Sequence, residues 1–187
     1  MRITGGEFRS RPLKAPKGSA TRPTSDRVRE ALFSILASRA SRAGSVLDLY
    51  AGTGALGLEA LSRGATSVVF VERSKEALAA LGANVASLGV GARARVLASS
   101  VERAATRLSG ERFDLVFVDP PYADVASGAA VTLLREHVVP LIADGGALVL
   151  EHSSRDESPT LNGLAREDAR TYGDTTLSFY VTRPSPG

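Results

Sequence analysis

Three observations predict an α/β fold with a mostly parallel sheet. Short apolar runs alternate with helically spaced segments from about residue 45 to residue 150, the pattern of strands joined by crossover helices. Two of those runs break off in loops that no strand interior would carry, Ala51-Gly52-Thr53-Gly54 and Asp119-Pro120-Pro121-Tyr122. The rhythm then changes near the end. There Leu164–Thr171 and Thr175–Thr182 read as a hairpin about Gly173-Asp174, with Leu177, Phe179 and Val181 alternating with Ser178, Tyr180 and Thr182.

The elements follow in order. Strands are predicted at Ser45–Leu49, Val68–Val71, Arg95–Leu97, Phe113–Val118 and Ala147–Leu150; with the hairpin they make seven. A helix starts at Thr24 or Ser25, either of which can cap it, and Asp26 suits its first turn. Val28, Ala31, Leu32, Ile35 and Leu36 form its inward face, which leaves Arg27 and Arg29 available. Further helices are expected from the glycine loop to Arg63, over Lys75–Leu88, over Val101–Leu108, and from about Ala126 to Ile142.

Residues 2–23 read as an irregular arm or short hairpin. Gly5-Gly6 permits a tight turn, and Pro12, Pro16 and Pro23 prevent a helix. The division expected is a basic arm over 1–23 and one domain over 24–187. The charge supports it. The chain carries +3 overall, yet residues 1–29 hold eight basic side chains against Glu7 and Asp26, a local +6. The remaining residues therefore sum to −3. Gly, Pro and apolar residues interleave with these cations, as in a nucleic-acid contact rather than a solvated block of like charge.

Composition excludes several classes. The 187 residues include no cysteine, so disulfides, thiolate zinc sites and cysteine nucleophiles are absent. No apolar run reaches membrane-spanning length, and the first twenty residues carry no signal-peptide core. A cytoplasmic monomer without membrane contact is expected.

Gly52-Thr53-Gly54-Ala55-Leu56-Gly57 fits G-x-G-x-x-G between a strand and a helix, and Glu72 lies twenty residues past Gly52. Glycines let backbone approach a ligand, and a carboxylate ending the second strand suits ribose hydroxyls. NAD and S-adenosylmethionine both meet that description. Asp48 separates them: just before the loop it would repel a pyrophosphate but suits an ammonium group.

The fourth strand delivers a second cluster. The Asp119 carboxylate and a prolyl carbonyl accept hydrogen bonds but cannot donate them, and the Tyr122 ring can stack on a base. Such a set would hold a planar ring by an exocyclic amine. Strands one and four should be neighbours, which brings methyl donor and amine acceptor together.

Asp119-Pro120-Pro121-Tyr122 together with Asp48–Gly57 resembles the class I methyltransferases that act on exocyclic amines. A fuller set of motifs resembles the bacterial small-subunit (16S) rRNA guanine-N2 methyltransferase D family: Arg2–Gly6, Arg11–Leu13, Thr21–Phe33, Leu47–Ala65 and Tyr172–Thr175. That resemblance implies a Rossmann-like class I methyltransferase with a seven-stranded sheet. Its implied substrate is one guanine in the helix 31 loop of 16S rRNA, modified within the small-subunit particle. The implied cofactor is S-adenosylmethionine, held by Asp48, Tyr50, Gly52, Thr53, Gly54, Glu72, Arg73 and Ser100. In the family an acidic residue or amide stands where this chain has Ser99-Ser100, and Ser is common at the position of Thr53. Asp119, Pro120, Pro121 and Tyr122 carry the catalysis, and Arg2, Arg9, Arg11, Lys14, Lys17, Arg22 and Arg27 meet RNA.

Other functions stay open at this point: an adenine-N6 or cytosine-N4 methyltransferase, a non-catalytic ribosome assembly factor, or an NAD-dependent oxidoreductase. The last leaves Asp119–Tyr122 and the basic arm without roles. His137 reads as a surface or packing residue, and His152, beside Glu151 at the end of strand five, as a weaker candidate for the site. No cluster has metal-ligand spacing.

Overall fold

The computed structural model describes residues 1–16, 25–37 and 44–182. Pro23, Thr24 and two predicted RNA-binding residues, Lys17 and Arg22, lie outside them. The strands are β1 (Ser45–Leu49), β2 (Ser67–Glu72), β3 (Ala94–Ala98), β4 (Phe113–Val118), β5 (Ile142–Ser153), β6 (Leu164–Tyr172) and β7 (Thr175–Thr182). They form one sheet in the order β3-β2-β1-β4-β5-β7-β6. β7 alone runs against the direction of the other six strands. The strand order reverses between β1 and β4, the kind of switch point where open α/β sheets bind ligands.

The helices are α1 (Asp26–Ile35), α2 (Ala55–Ser62), α3 (Lys75–Leu88), α4 (Val101–Arg107), α5 (Tyr122–Ala126) and α6 (Ala129–Leu133). Alternate residues of each central strand feed two cores. Val46, Phe70, Phe117 and Val149 pack with Leu32, Phe33, Leu58 and Leu81. Leu47, Val71, Val118 and Leu150 pack with Val101, Ala104, Leu134 and Val138 on the other face.

Ser25 caps α1, its hydroxyl accepting from Val28 N–H at 3.2 Å. The buried face of this helix differs from the predicted one. Arg29, Leu32, Phe33 and Leu36 are buried, whereas Ile35 is 40% exposed. That stripe has ideal helical spacing, and a charged residue hides its first member from a hydrophobicity pattern. The expectation that Arg29 stays available is thereby overturned. Its Nε lies 3.4 Å from the fully buried Glu59 and its Nη2 2.8 Å from Asp26.

The predicted helix Ala126–Ile142 is broken. Gly128, at φ +79°, separates α5 from α6. A wider turn over Leu134–Val138 and a tight turn over Val139–Leu141 with Pro140 then lead straight into β5. β5 is accordingly longer than Ala147–Leu150, with an irregular register against β4 between Phe113 and Leu115 where Gly145 and Gly146 sit.

Residues 1–16 pack on the domain. Arg2 and Pro12 form a bridge, and Ile3 and Leu13 are buried in the first core. Glu59 organises this contact: it accepts from Thr4 N–H, Thr4 hydroxyl and Gly5 N–H, each at 2.8 Å. Arg63 Nε approaches the same carboxylate at 2.8 Å.

Candidate active site

Parallel strands end together, so β1, β2, β4 and β5 deliver their C-terminal residues to one edge of the sheet. There a cleft of about 1990 Å³ opens. The predicted cofactor residues Asp48, Tyr50, Gly52, Thr53, Glu72, Arg73 and Ser100 line it, and so do Asp119, Pro120, Pro121 and Tyr122. The two clusters meet because β1 pairs with β4, Asp48 opposite Phe117 and Leu49 opposite Val118.

The glycines of the loop do different work. Gly52 and Gly54 have φ of +56° and +79°, conformations that side chains strain to adopt. A Cβ on Gly52 would meet nothing closer than Tyr50 O at 3.9 Å, so backbone stands open to the cleft there. A Cβ on Gly54 would strike Leu81 Cδ1 at 2.4 Å, and one on Gly57 would strike Phe70 Cε1 at 2.4 Å. These two permit close packing of α2 on the sheet, and Gly54, set back from the cleft, shapes the loop rather than lining it.

Asp48 is buried, with its Oδ2 accepting from Gly57 N–H at 2.9 Å. Burial pushes its carboxyl up to about 8, the nearby Glu72 charge adding to the effect and the Gly57 bond opposing it. A carboxyl in that position attracts a cation. Glu72 is held by backbone: Oε2 accepts from Gly52 N–H at 2.8 Å, and Oε1 from Arg73 and Ser74 N–H at 2.7 and 2.8 Å.

Asp119 stands just past β4. Burial, then the charges of Glu151 and Asp48, raise its carboxyl well above the ordinary range. The Pro121 carbonyl accepts from Asp124 N–H at 2.9 Å as α5 begins, so the helix start engages the second prolyl carbonyl rather than that of Pro120. Tyr122 is 37% exposed, and its hydroxyl is 2.7 Å from the Thr175 hydroxyl. The hairpin between β6 and β7 thus forms a wall, with Tyr172 through Thr175 all on the cleft.

The basic residues divide. Arg27 lines the cleft. Arg2, Arg9, Arg11 and Lys14 are exposed, but Arg9 and Arg11 sit elsewhere. Glu7 N–H donates to Ser62 O at 2.7 Å, and Arg11 Nη2 to Ser87 O at 2.7 Å. Ser62 and Ser87 close the far ends of α2 and α3, so that turn lies at the opposite edge of the sheet. Lys14 is nearer the cleft, its N–H donating to Asn84 Oδ1 at 2.7 Å, while Asn84 Nδ2 donates to Thr53 O at 3.0 Å.

His152 is not on the cleft. It is fully buried on the other face of β5, its Nε2 2.8 Å from the Ser178 hydroxyl. His137, read as surface or packing, is at the cleft rim with a side chain 41% exposed. Besides Arg29, three buried residues escape sequence reasoning: Glu151, which lines the cleft, and Asn84 and Glu59, which tie residues 1–16 to α3 and α2. Their only signal was a polar residue among apolar ones. No group of three or more acidic or histidine side chains among the described residues could hold a metal. No helix among them is long and apolar enough to cross a membrane.

A seven-stranded sheet of this order, with a glycine loop on β1 facing Asp-Pro-Pro-Tyr on β4, defines a Rossmann-like methyltransferase. The comparisons agree. The family described as Conserved hypothetical protein 95 matches residues 1–181, and the chain belongs to it. It is 37% identical to the YlbH protein of Bacillus subtilis over 188 residues, covering 98% of this chain and 100% of that one. It is 40% identical to Ribosomal RNA small subunit methyltransferase D of Escherichia coli (strain K12), over 88% of this chain and 77% of that one. The solved structure of the yhhF protein of Escherichia coli superposes with a TM-score of 0.82 at 34% identity, covering 99% of each chain.

Proposed function

We propose that this protein methylates the exocyclic N2 amine of a guanine in small-subunit (16S) rRNA, in the helix 31 loop, using S-adenosylmethionine. The observation that carries the reading is the pairing of β1 with β4, which sets the glycine loop beside Asp119-Pro120-Pro121-Tyr122 in one cleft. The identity to Ribosomal RNA small subunit methyltransferase D supports rRNA as the substrate.

The residues present fit the cofactor. Asp48 offers a buried carboxyl to its ammonium group, Glu72 offers a carboxylate to ribose hydroxyls, and Gly52 leaves backbone bare beside them. Arg73 and Ser100 line the same cleft and would border the nucleoside. S-adenosylmethionine supplies the methyl, carried on a positively charged sulfur.

The chain's own groups do the rest. Guanine N2 is a weak nucleophile because its lone pair is conjugated with the ring. Asp119 and the Pro120 carbonyl accept its two N–H groups and aim the nitrogen at the methyl; such positioning alone supplies several kcal/mol. As positive charge grows on nitrogen, those same acceptors bind it more strongly. In its ionised form the Asp119 carboxylate is also a stronger base than a free aspartate, fit to take the amine proton and pass it to water. Tyr122 stacks on the base, which must be splayed out of its loop to enter. Arg2, Arg9, Arg11, Lys14, Lys17, Arg22 and Arg27 contact phosphates, giving affinity more than base selection, and residues 1–23 act as the RNA-binding arm of a domain spanning 24–187.

The test is transfer of labelled methyl from S-adenosylmethionine to unmodified small ribosomal particles, followed by nuclease digestion and nucleoside identification. Label in N2-methylguanosine is expected. Label in another amine-methylated base would keep the chemistry and overturn the guanine assignment. Cofactor binding without label would point to a different acceptor.

A further inference from the structure

Three carboxylates crowd the C-terminal ends of three adjacent strands: Asp48 on β1, Asp119 after β4 and Glu151 on β5. The methyl-transfer reading gives roles to the first two and none to Glu151. This residue is only 7% exposed, yet it lines the cleft. Its position follows from the register. Val118 pairs with Leu150 at the end of the register, so its continuation by one residue puts Asp119 beside Glu151. Of the charges that act on Asp119, that of Glu151 acts most strongly.

Asp-Pro-Pro-Tyr reads an exocyclic amine and nothing else about the base. The bases differ at the ring nitrogen beside that amine. Guanine carries a hydrogen on N1, next to its N2 amine. Adenine N1 and cytosine N3, next to their amines, are bare lone pairs. An ionised carboxylate accepts hydrogen bonds and cannot donate one. Placed beside Asp119, it attracts the first pattern and repels the other two.

We propose that the Glu151 carboxylate accepts the N1–H of the target guanine and is the group that selects guanine over adenine and cytosine. The inference rests on the reading of the cleft as an amine methyltransferase. Only the ionised, acceptor-only form of Glu151 makes this discrimination. A site built to hydrogen-bond one substrate group rejects an analogue lacking it far more strongly than an apolar pocket could.

The test uses the full chain, labelled S-adenosylmethionine and small particles reconstituted with 2-aminopurine at the target position. 2-Aminopurine keeps the N2 amine but has no hydrogen on N1. The native protein should prefer guanine in kcat/KM by about 10- to 100-fold, the range of one hydrogen bond to a charged group. Glu151→Leu, which has no acceptor, should lose that factor on guanine, change little on 2-aminopurine, and bind cofactor as before. An equal fall on both substrates would reduce Glu151 to a structural residue and overturn the proposal. So would a native protein that shows no preference, a result that needs no variant. A native protein that methylates adenine or cytosine in ordinary particles would instead sink the guanine assignment itself, before Glu151 is touched.

Discussion

The Gly57 amide donates to the Asp48 carboxylate at 2.9 Å, so the first turn of α2 and the end of β1 are locked together by a group buried beneath the cofactor cleft. Asp48 carries a proton near neutrality because burial raises its carboxyl to about 8, against 3.8 in the unfolded chain. As pH rises from about 4 to 8 the unfolded chain loses that proton first, so this carboxyl makes the ligand-free protein less stable over that window. A cation reverses the preference. Binding S-adenosylmethionine at pH 6.5 should therefore release a proton, and affinity should climb toward pH 8. It should fall again beyond that, as the ligand's amino group loses its own proton. Calorimetry in buffers of different ionisation enthalpy measures the release. Asp48→Asn should abolish it, weaken binding by about 10- to 100-fold, and leave or raise the melting temperature of the ligand-free protein at pH 9. An unchanged proton count in the variant would remove Asp48 from the cofactor site.

Asp119→Ala should abolish methyl transfer while S-adenosylmethionine still binds, because the glycine loop and Asp48 are on a different strand. Equilibrium binding and single-turnover transfer, measured on one preparation, separate the two effects. Ordinary turnover by this variant would end the role assigned to Asp119.

Gly57→Ala tests close packing rather than chemistry. Its Cβ would lie 2.8 Å from Val68 Cγ1 and 2.4 Å from Phe70 Cε1, both on β2 beneath the helix. A loss of about 1 to 3 kcal/mol of stability is expected, the usual cost of overpacking. Denaturant unfolding gives the number.

Glu59→Gln should be at least as damaging. Glu59 is fully buried and serves Thr4, Gly5, Arg29 and Arg63 at once. Removing its charge leaves the buried Arg29 guanidinium with Asp26 as its remaining carboxylate at 2.8 Å, and should cost at least about 1 to 3 kcal/mol. Residues 1–13 should then become the first protease target.

Neutralising Arg9, Arg11 and Lys14 together should weaken particle binding and reduce the slope of log affinity against log salt by about 2 to 3. The Arg9–Arg11 turn is at the opposite edge of the sheet from the cleft, so a short hairpin carrying only the target loop should show a smaller change than the whole particle. Equal effects on both would place the RNA backbone differently.

The sheet was legible because its strands are apolar runs punctuated by glycine and proline, and a buried parallel strand has little other way to be written. Asp119–Tyr122 and Asp48–Gly57 were legible for a related reason: each breaks a strand rule at a strand end. The path from Ala126 to Ile142 was misread because its apolar spacing persists through Gly128 and Pro140, which end helices whatever surrounds them. Arg29, Glu59, Asn84 and Glu151 were illegible because a polar side chain in a helix or strand defaults to solvent. Only the partner, fifty residues away or more in the cases of Glu59 and Asn84, shows that it is buried. His152 failed in the opposite sense, since alternation along β5 turned it to the wrong face.

The hydrogen bond between Tyr122 and Thr175 has a consequence for synthesis. Met1 and Pro16 border the cleft on one side and the β6–β7 hairpin on the other. A chain emerging from the ribosome can dock residues 1–16 as soon as α2 and α3 exist. It cannot close the opposite wall until β7, the last strand of the sheet in chain order, has slipped between β5 and β6. The wall that Tyr122 and Thr175 join is therefore the last side of the cleft to be completed.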